Sequence, residues 1–599
     1  MTALSQPIHL SPERTAFARR VLLHALLLGI LGDALLREGP TALGLLVWML
    51  TFAGTVVSLA WRRGLHLTRE QCAWLGAAVC LAAGTAWRDA EALQVYNFLA
   101  MLIALAVLGA TLSPASPIRS VLGTRVRDLA HTLARAATHA GIAVVPLLFG
   151  DAALGRPAQP YGNRARALVR AAVITIPLLL LFGALFGQAD PVFGSLFSLP
   201  QLDFEVLLSH VILAGFFTWV VGGWMRGALV DDRPAARLPD GFPITLGTLE
   251  ITVALGALNA LFALFVGVQI GWLFGGEQLV RSTTGLGYAQ YARRGFFELV
   301  WVSLLVLPVL LGTRAAIPGS DTKALRRHRR LALPLLLLLG ATMVSAFGRM
   351  QLYVHYYGLT TDRLFATIFM GWLAIVFVWF AITVLRGRQQ DFAAGMAITG
   401  FFTLAAVNLA NPDALIARVN IGRGAVAASV VDSIRADDAG RVHAATADSP
   451  IDYSYLTWRL NGDAAGDVVR ALTSPPVAAA ATPGREAEVR ARCDAVRTML
   501  NRWMPNTRLD PERARRAGDW RSWSLGAARA RNAVRANEAA LRAVTCWDNG
   551  SEVPFGTRDG RPATLGEQWY VAPQPLPTNA PVPANPTGRP IGVSGSTLP

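Results

Sequence analysis

The chain has 599 residues, of which 53% are hydrophobic and only 16% charged, with a mean hydropathy of +0.40 and a formal net charge of +16. Soluble domains carry about 25% charged residues, so this composition excludes an ordinary soluble protein. The positive charge does not indicate nucleic acid. Lys323 is the only lysine, and the arginines sit in short stretches between apolar runs, with no basic stripe interleaved with stacking aromatics.

A membrane-crossing helix needs about 20 mostly apolar residues. Eleven segments meet that pattern: roughly 20–37, 41–61, 70–87, 91–112, 167–187, 206–227, 248–274, 296–315, 331–352, 364–385 and 391–411. The expected fold is therefore all-α, a polytopic transmembrane helical bundle. No signal-peptide cleavage pattern precedes the first run, which is expected to be retained as a span. Counted with the helix ends, one set of alternating connections holds 25 basic residues and the other 7. Positive residues favour the cytoplasmic side. The N-terminus is thus expected in the cytoplasm, and the C-terminal region outside it, in the periplasm of a bacterial inner membrane. Two loops dominate the asymmetry, 113–166 and the run Lys323-Ala-Leu-Arg-Arg-His-Arg-Arg330.

The sequence divides into a four-span segment (1–112), a cytoplasmic loop (113–166), a seven-span core (167–411), an extracytoplasmic helical domain (412–570) and a Pro-rich tail (571–599) expected to be disordered. In the loop, Arg125, Asp128, His131 and Arg135 oppose Val126, Leu129 and Leu133, as on a helix lying at the membrane interface. Gly141 to Phe149 is apolar but too short to span; it is either re-entrant or packed beneath the bundle. In the helical domain the best helix candidates are Ala487 to Trp503 and Ala527 to Trp547, and Asp510-Pro511 has the form of a helix start.

Three polar clusters fall at helix ends on the expected outer side. In LGYAQYARRGFFELVW, Tyr291, Arg294 and Glu298 share a helical face, and Arg294 can pair with Glu298 at i, i+4. In GRMQLYVHYYGLTTDR, Arg349, Tyr353, Tyr356 and Tyr357 line one stripe, and Gly358 is expected to end the helix. In NLANPDALIARVN, Asn408 and Asn411 lie one turn apart, Pro412 disfavours a helical residue 411, and Asp413 follows. Each cluster reads either as an interfacial anchor or helix terminus, or as part of a site. Asp33, Asp190, Asp203, Glu205 and His210 are expected on the same side, whereas the cytoplasmic side reads as mostly arginine. Together, Arg294, Glu298, Arg349, Tyr353 and Tyr357 form a candidate polar, aromatic-lined site capped by the C-terminal domain. Guanidinium with tyrosine suits a small anionic solute or a lipid headgroup.

Enzyme signatures are poor. There is no P-loop, GxSxG or HExxH; Gly285-Leu-Gly287 lacks a third glycine and a preceding strand; Asp231-Asp232 is followed by Arg-Pro-Ala rather than another aspartate. No Cys/His cluster has metal spacing, and no metal or cofactor is expected. Cys72 and Cys80 lie in an apolar run. Cys493 and Cys546, in the extracytoplasmic domain, either pair, as lone cysteines outside the cytoplasm tend to, or remain two unrelated thiols. Asn259 and Gln269 on the seventh span are the only modest midplane polar groups for transport.

GYAQYARRGFFELV, RMQLYVHYYGLTTDRLFA, NLANPDALIARVNIGR and DWRSWSLGAARAR together resemble a bacterial family of polytopic integral membrane proteins of unknown function (the DUF4153/DUF4173 group), over roughly 160–535. The resemblance carries no activity, cofactor or catalytic residue. The expectation is a non-enzymatic membrane protein that binds, senses or moves an anionic or lipid-like ligand at the outer face, with a membrane or periplasmic protein partner if it signals. The alternative is a membrane-embedded transferase acting on a lipid-linked substrate.

Overall fold

The computed structural model describes residues 12–37, 42–152 (except 115, 117 and 119), 204–232, 245–284, 296–434, 451–476, 484–505, 511–548, 551–555, 557–558 and 561–562, with a few single residues elsewhere. The chain begins with four helices, α1 (Pro12–Leu36), α2 (Ala42–Arg62), α3 (Arg69–Trp87) and α4 (Glu91–Leu112). After them come α5 (Val126–Ile142) and α6 (Phe204–Met225). The core continues with α7 (Thr248–Thr284), α8 (Phe296–Ala315), α9 (Thr322–Tyr357), α10 (Thr361–Thr383) and α11 (Phe392–Ala410).

Eight helices among the described residues are long and apolar enough to cross a membrane, and they coincide with eight of the eleven expected spans. The first and third expected spans form helices α1 and α3, but α1 carries Arg14, Arg19, Arg20 and Asp33 and α3 is diluted by alanine and glycine, so both are less apolar. The fifth, 167–187, lies almost wholly outside the described residues. Outward-facing side chains such as Leu337 (75% exposed), Val344 (72%) and Val378 (64%) form the apolar exterior that a bilayer would cover.

Residues at helical spacing make the interior. Ala18, Val21, Ala25, Leu28 and Gly32 form the buried stripe of α1, which packs on α6. Glycine makes that contact possible: a Cβ at Gly29 would lie 1.9 Å from Thr218 Oγ1 and 2.6 Å from the carbonyl of Ala214, and one at Gly32 would lie 2.8 Å from the Phe217 ring. Small residues admitting close backbones are a main device of helix association in lipid, where no hydrophobic force favours one helix over another. Indole donors tie further helices together, Trp48 Nε1 to Leu28 O at 3.1 Å and Trp224 Nε1 to Leu105 O at 3.0 Å.

The basic run at 323–330, read from sequence as a loop, is instead the opening of α9. Asp321 caps it through the amides of Lys323 and Ala324, and arginine is a good helix former. The segment after α5 folds as a turn at Val144–Pro146 and a π-helical turn at Leu147–Asp151, with Val144 and Leu147 buried.

Beyond α11 the chain turns at Asn411 (φ 56°) into α12 (Pro412–Ile434). The remaining helices are α13 (Tyr453–Trp458), α14 (Ala465–Thr473), α15 (Gly484–Trp503), α16 (Pro511–Gly518), α17 (Leu525–Ala536) and α18 (Glu538–Arg542). Strands β1 (Thr545–Asp548) and β2 (Ser551–Pro554) pair antiparallel, as do the two-residue strands β3 (Thr557–Arg558) and β4 (Arg561–Pro562). The expected helix from Ala527 to Trp547 is therefore broken. Asn537 closes α17, and Thr545, Cys546 and Trp547 are strand formers. Cys493 on α15 is disulfide-bonded to Cys546 on β1. One core joins Ile416 and Ala417 of α12 to Tyr453, Leu456, Val469, Val496, Leu500 and Trp503, so α12 belongs by packing to the C-terminal unit.

The α1–α6 contact can be tested against an open control. Gly29→Ala should cost about 1–3 kcal/mol through overpacking. Gly54→Ala, where nothing lies within 4 Å of the new methyl, should be neutral or stabilise by up to about 1 kcal/mol, the propensity gain of alanine inside α2. Unfolding midpoints in the same detergent compare them.

Candidate functional site

The C-terminal unit docks on one end of the bundle, where α3 turns into α4 and α11 into α12. The α3–α4 corner is Arg88-Asp89-Ala90. Arg88 leaves the helix in an extended conformation, and its guanidinium lies 4.4 Å from the centroid of Trp87. It donates to the carbonyls of Asn408 (2.7 Å) and Leu409 (3.3 Å), at the C-terminal end of α11, and reaches Asp463 at 3.5 Å. A cation at helix-terminal carbonyls is favoured by hydrogen bonding and by the helix dipole.

Asp89 accepts from the amide of Gly462 (2.8 Å) and the hydroxyl of Ser524 (2.9 Å), while its own amide donates to Asp463 (2.6 Å). Asp413 accepts from the amide of Asn461 (2.9 Å), and Arg502 donates to the side chain of Asn461 (2.6 Å). Below them Asn97 and Asn408 exchange two hydrogen bonds, 3.0 and 2.9 Å, fully inside the bundle. The fit excludes side chains at Gly84, Gly462 and Gly526, where a Cβ would come within 2.9 Å of Asn97 Nδ2, 2.8 Å of Asp89 Oδ2 and 2.7 Å of Asp89 Cβ. Burial pushes Asp413 up to about 6, against the Asn461 amide bond and with help from the nearby Asp463 and Asp89. Burial also raises Asp89, against its bonds from Gly462 and Ser524.

Glu298, Arg349, Tyr353 and Tyr357 lie toward the same end, on α8 and α9. Arg349 donates to Gln269 Oε1 at 2.7 Å, which Ser345 also contacts. Tyr353 and Tyr357 pack edge to face with centroids 5.1 Å apart. Arg363, in the first turn of α10, stacks 3.9 Å from the centroid of Tyr353 and 6.0 Å from that of Tyr357. It donates to the carbonyls of Tyr357 and Gly358. Arg423 of α12 approaches from the other side and donates to the carbonyl of His355. Burial and the like charge of Arg363 both lower Arg423. Gly358 (φ 78°) ends α9; a Cβ there would lie 2.9 Å from Arg423 Nη1 and from Asn420 Oδ1. Asn420 clamps the turn by bonding both the amide (2.8 Å) and the carbonyl (2.7 Å) of Leu359.

The structure thus arranges the sequence candidates in two neighbourhoods. Asn408 and Asp413 take part in the docking corner, and Asn411 shapes it by capping Ala414. Arg349, Tyr353 and Tyr357 belong to the α9 end, with Glu298 exposed at the start of α8. No described hydrogen bond joins the two groups directly. Tyr291 and Arg294 lie outside the described residues, and with them the Arg294–Glu298 pairing. Asp33 binds Arg37 (2.7 Å) and His210 (2.5 Å) at this end as well. Sequence reasoning missed Arg88, Asp89, Asn97, Asp463, Arg363 and Arg423. The only local signals were a charged dipeptide between two apolar runs and the arginine after Tyr-Gly-Leu-Thr-Thr-Asp.

The opposite end is not a field of arginine, as the sequence suggested. Asp151 and Asp231 are buried there among Arg14, Arg135 and Arg226, while Asp232 binds Arg14 and Arg63. The aspartates are distant in sequence and meet only through the fold. Among the described residues no group of three or more His, Cys, Asp or Glu could hold a metal ion.

Long apolar helices, an apolar exterior and a docked polar unit define a polytopic integral membrane protein. Residues 75–471 match the family described as Domain of unknown function (DUF4153), and the chain belongs to that family. The match starts earlier and stops sooner than the resemblance suggested: it includes Arg88, Asp89 and Asp463, but neither cysteine of the disulfide. No curated protein and no solved structure matches the chain.

Asp413 gives the docking corner a pH dependence of known sign. Its folded pKa is raised, so folding takes up a proton between about pH 6 and the ordinary value of 3.8. The burial penalty is full above that window, up to about 3 kcal/mol, and is relieved as pH falls through it. Asp413→Asn should remove this component. Comparing wild type and variant by protease resistance of the C-terminal unit, the gap should favour the variant at pH 7.5, narrow to about a third by about pH 4.5 and nearly vanish by about pH 3.5.

Proposed function

We propose that this membrane protein holds an anionic, headgroup-like ligand at the α9–α10 end, beneath the C-terminal unit. The carrying observation is the pair Arg363 and Arg423. The two cations are close enough for Arg363 to depress Arg423, and their described hydrogen bonds go to carbonyls rather than carboxylates. Desolvated like charges at a membrane boundary are unfavourable unless an anion joins them. A phosphate matches two guanidinium forks, Arg349 adds a third cation nearby on α9, and Tyr353 and Tyr357 supply an amphipathic wall of the kind found at headgroup level.

In this reading the end with the C-terminal unit is the outer, periplasmic face of a bacterial inner membrane, and the N-terminus is cytoplasmic. The loop charge asymmetry supports that orientation, as does a disulfide in the C-terminal unit. Binding that leads to signalling would involve a membrane or periplasmic protein partner.

Two measurements test this. The Arg363→Gln/Arg423→Gln double variant, reconstituted from mixed phosphatidylglycerol and phosphatidylcholine, should retain about tenfold less phosphatidylglycerol through purification than wild type at equal thermal stability; equal retention sinks the ligand assignment. A reporter active only outside the cytoplasm, fused after residue 440, should be active, and a silent, stably expressed fusion would reverse the orientation.

A further inference from the structure

The turn that joins α16 to α17 carries two tryptophans, Trp520 (54% exposed) and Trp523 (36%). We propose that this turn is a membrane-surface anchor, through which the C-terminal unit touches the phospholipid headgroup region directly. The assignment depends neither on the ligand proposed beside α9 nor on which face of the membrane is outer.

Three features carry it. First, the turn is fixed to the ends of two bundle helices. The Leu43 amide of α2 donates to the Trp523 carbonyl at 3.1 Å, and Arg521 Nη1 donates to the Ala34 carbonyl of α1 at 2.7 Å. Gly44 permits the approach: a Cβ there would lie 3.2 Å from the Arg521 carbonyl oxygen. Second, both contacts fall at the top of outward-facing apolar stripes. On α1, Leu23, Leu27, Ile30 and Ala34 recur at i, i+4, i+7 and i+11, and all four are exposed. On α2, Leu43, Leu50 and Val57 repeat every seven residues, the last two exposed. Arg62 ends α2 roughly 28 Å from Leu43 at about 1.5 Å per residue, close to the ~30 Å hydrocarbon core of a bilayer. Hydrocarbon that covers α2 therefore ends near Leu43, which puts the turn at headgroup level. Trp61, 73% exposed, marks the opposite boundary. Third, the rings suit that level. The indoles of Trp48 and Trp224 donate to carbonyls inside the bundle, whereas those of Trp520 and Trp523 have no such bond among the described residues. Exposure alone would not select lipid, because single exposed apolar residues are ordinary on soluble surfaces. An apolar ring with an N–H to offer is favoured where hydrocarbon meets headgroups. Asp519, accepting from the Arg521 amide at 2.9 Å, shapes the turn without using either ring.

The test reads depth in phosphatidylcholine nanodiscs, with the full chain carrying Cys72→Ser and Cys80→Ser to remove its free thiols. Ser522→Cys, labelled with an environment-sensitive fluorophore, keeps both tryptophans. Its emission should be quenched about twofold more by lipid with a nitroxide at the headgroup than by lipid with one deep in the acyl chain. The same label at Leu50→Cys should show the reverse order. If Ser522→Cys fails to fold, Trp520→Cys, at an exposed position, reports the same depth. Adding Trp520→Ala/Trp523→Ala to the Ser522→Cys chain should weaken the headgroup quenching; unchanged quenching overturns the role of the rings. A label at the turn that is quenched by aqueous iodide but by neither lipid overturns the anchor. So does a label shielded from iodide and from both lipids, which would mean that protein covers the turn.

Discussion

The side chain on which the architecture depends most is Arg88. It is 5% exposed and lies at the point where three parts of the chain meet: the α3–α4 corner, the end of α11 and the C-terminal unit. Its bonds to the carbonyls of Asn408 and Leu409 satisfy groups that the helix leaves orphaned, and they do so where α11 must stop for Asn411 to turn the chain. The guanidinium also sits beside Asp463, whose own position is held by the amide of Asp89. Removing the cation would leave an uncompensated carboxylate in a desolvated interface, which is far more costly than never having built the pair. The corner therefore acts as one unit, and α12 with its core of Ile416 and Ala417 is oriented by it.

Polar groups at such a joint contribute more to specificity than to affinity. An apolar contact between the C-terminal unit and the bundle could slide by a residue with little penalty. Within the bundle, the reciprocal Asn97–Asn408 pair fixes α4 against α11, because a shift would strand two buried amides. Asp89 likewise reads one register only, with Gly462 on one oxygen and Ser524 on the other. Ser524 also caps α17, so docking and local helix formation reinforce each other. Fixing a single register with buried polar groups at some expense in stability is the best-attested use of such groups.

The membrane part was legible because its signal is local: a window of apolar residues, a glycine after a tyrosine stripe, a proline that forbids helix one residue earlier. Gly358 ends its helix at positive φ, as a glycine there implies, and Asn411 leaves the helix as Pro412 requires, though at φ 56° rather than in the extended region usual before proline. The joint was illegible because its signal is not local. Asp89 and Asp463 are separated by 374 residues, and Arg88 and Asn408 by 320; no spacing rule connects them. The same holds at the far end, where Asp151 and Arg226 are 75 residues apart. The helix expected over 527–547 failed for a different reason. Periodicity continued through Thr545, Cys546 and Trp547, but those residues pack better as a strand against β2 and Cys546 is tied to α15, so tertiary constraint overrode a helical pattern.

The distribution of charge between the two ends then follows a simple logic. At the docked end the carboxylates Asp89, Asp413 and Asp463 are enclosed in the joint, where amides, a hydroxyl and Arg88 answer them. Arg363 and Arg423 are left at its margin with only carbonyls and tyrosine rings as described partners. At the opposite end Asp151 and Asp231 are again enclosed, with Arg226 bonded to Asp151 and Arg135 beside Asp231. In both places acidic groups are consumed by structure, and at the docked end Arg363 and Arg423 face the margin. A fold that needed cations only for orientation could leave them in exposed loops. Placing Arg363 and Arg423 partly buried, beside aromatic rings, carries a desolvation cost that a bound anion would offset.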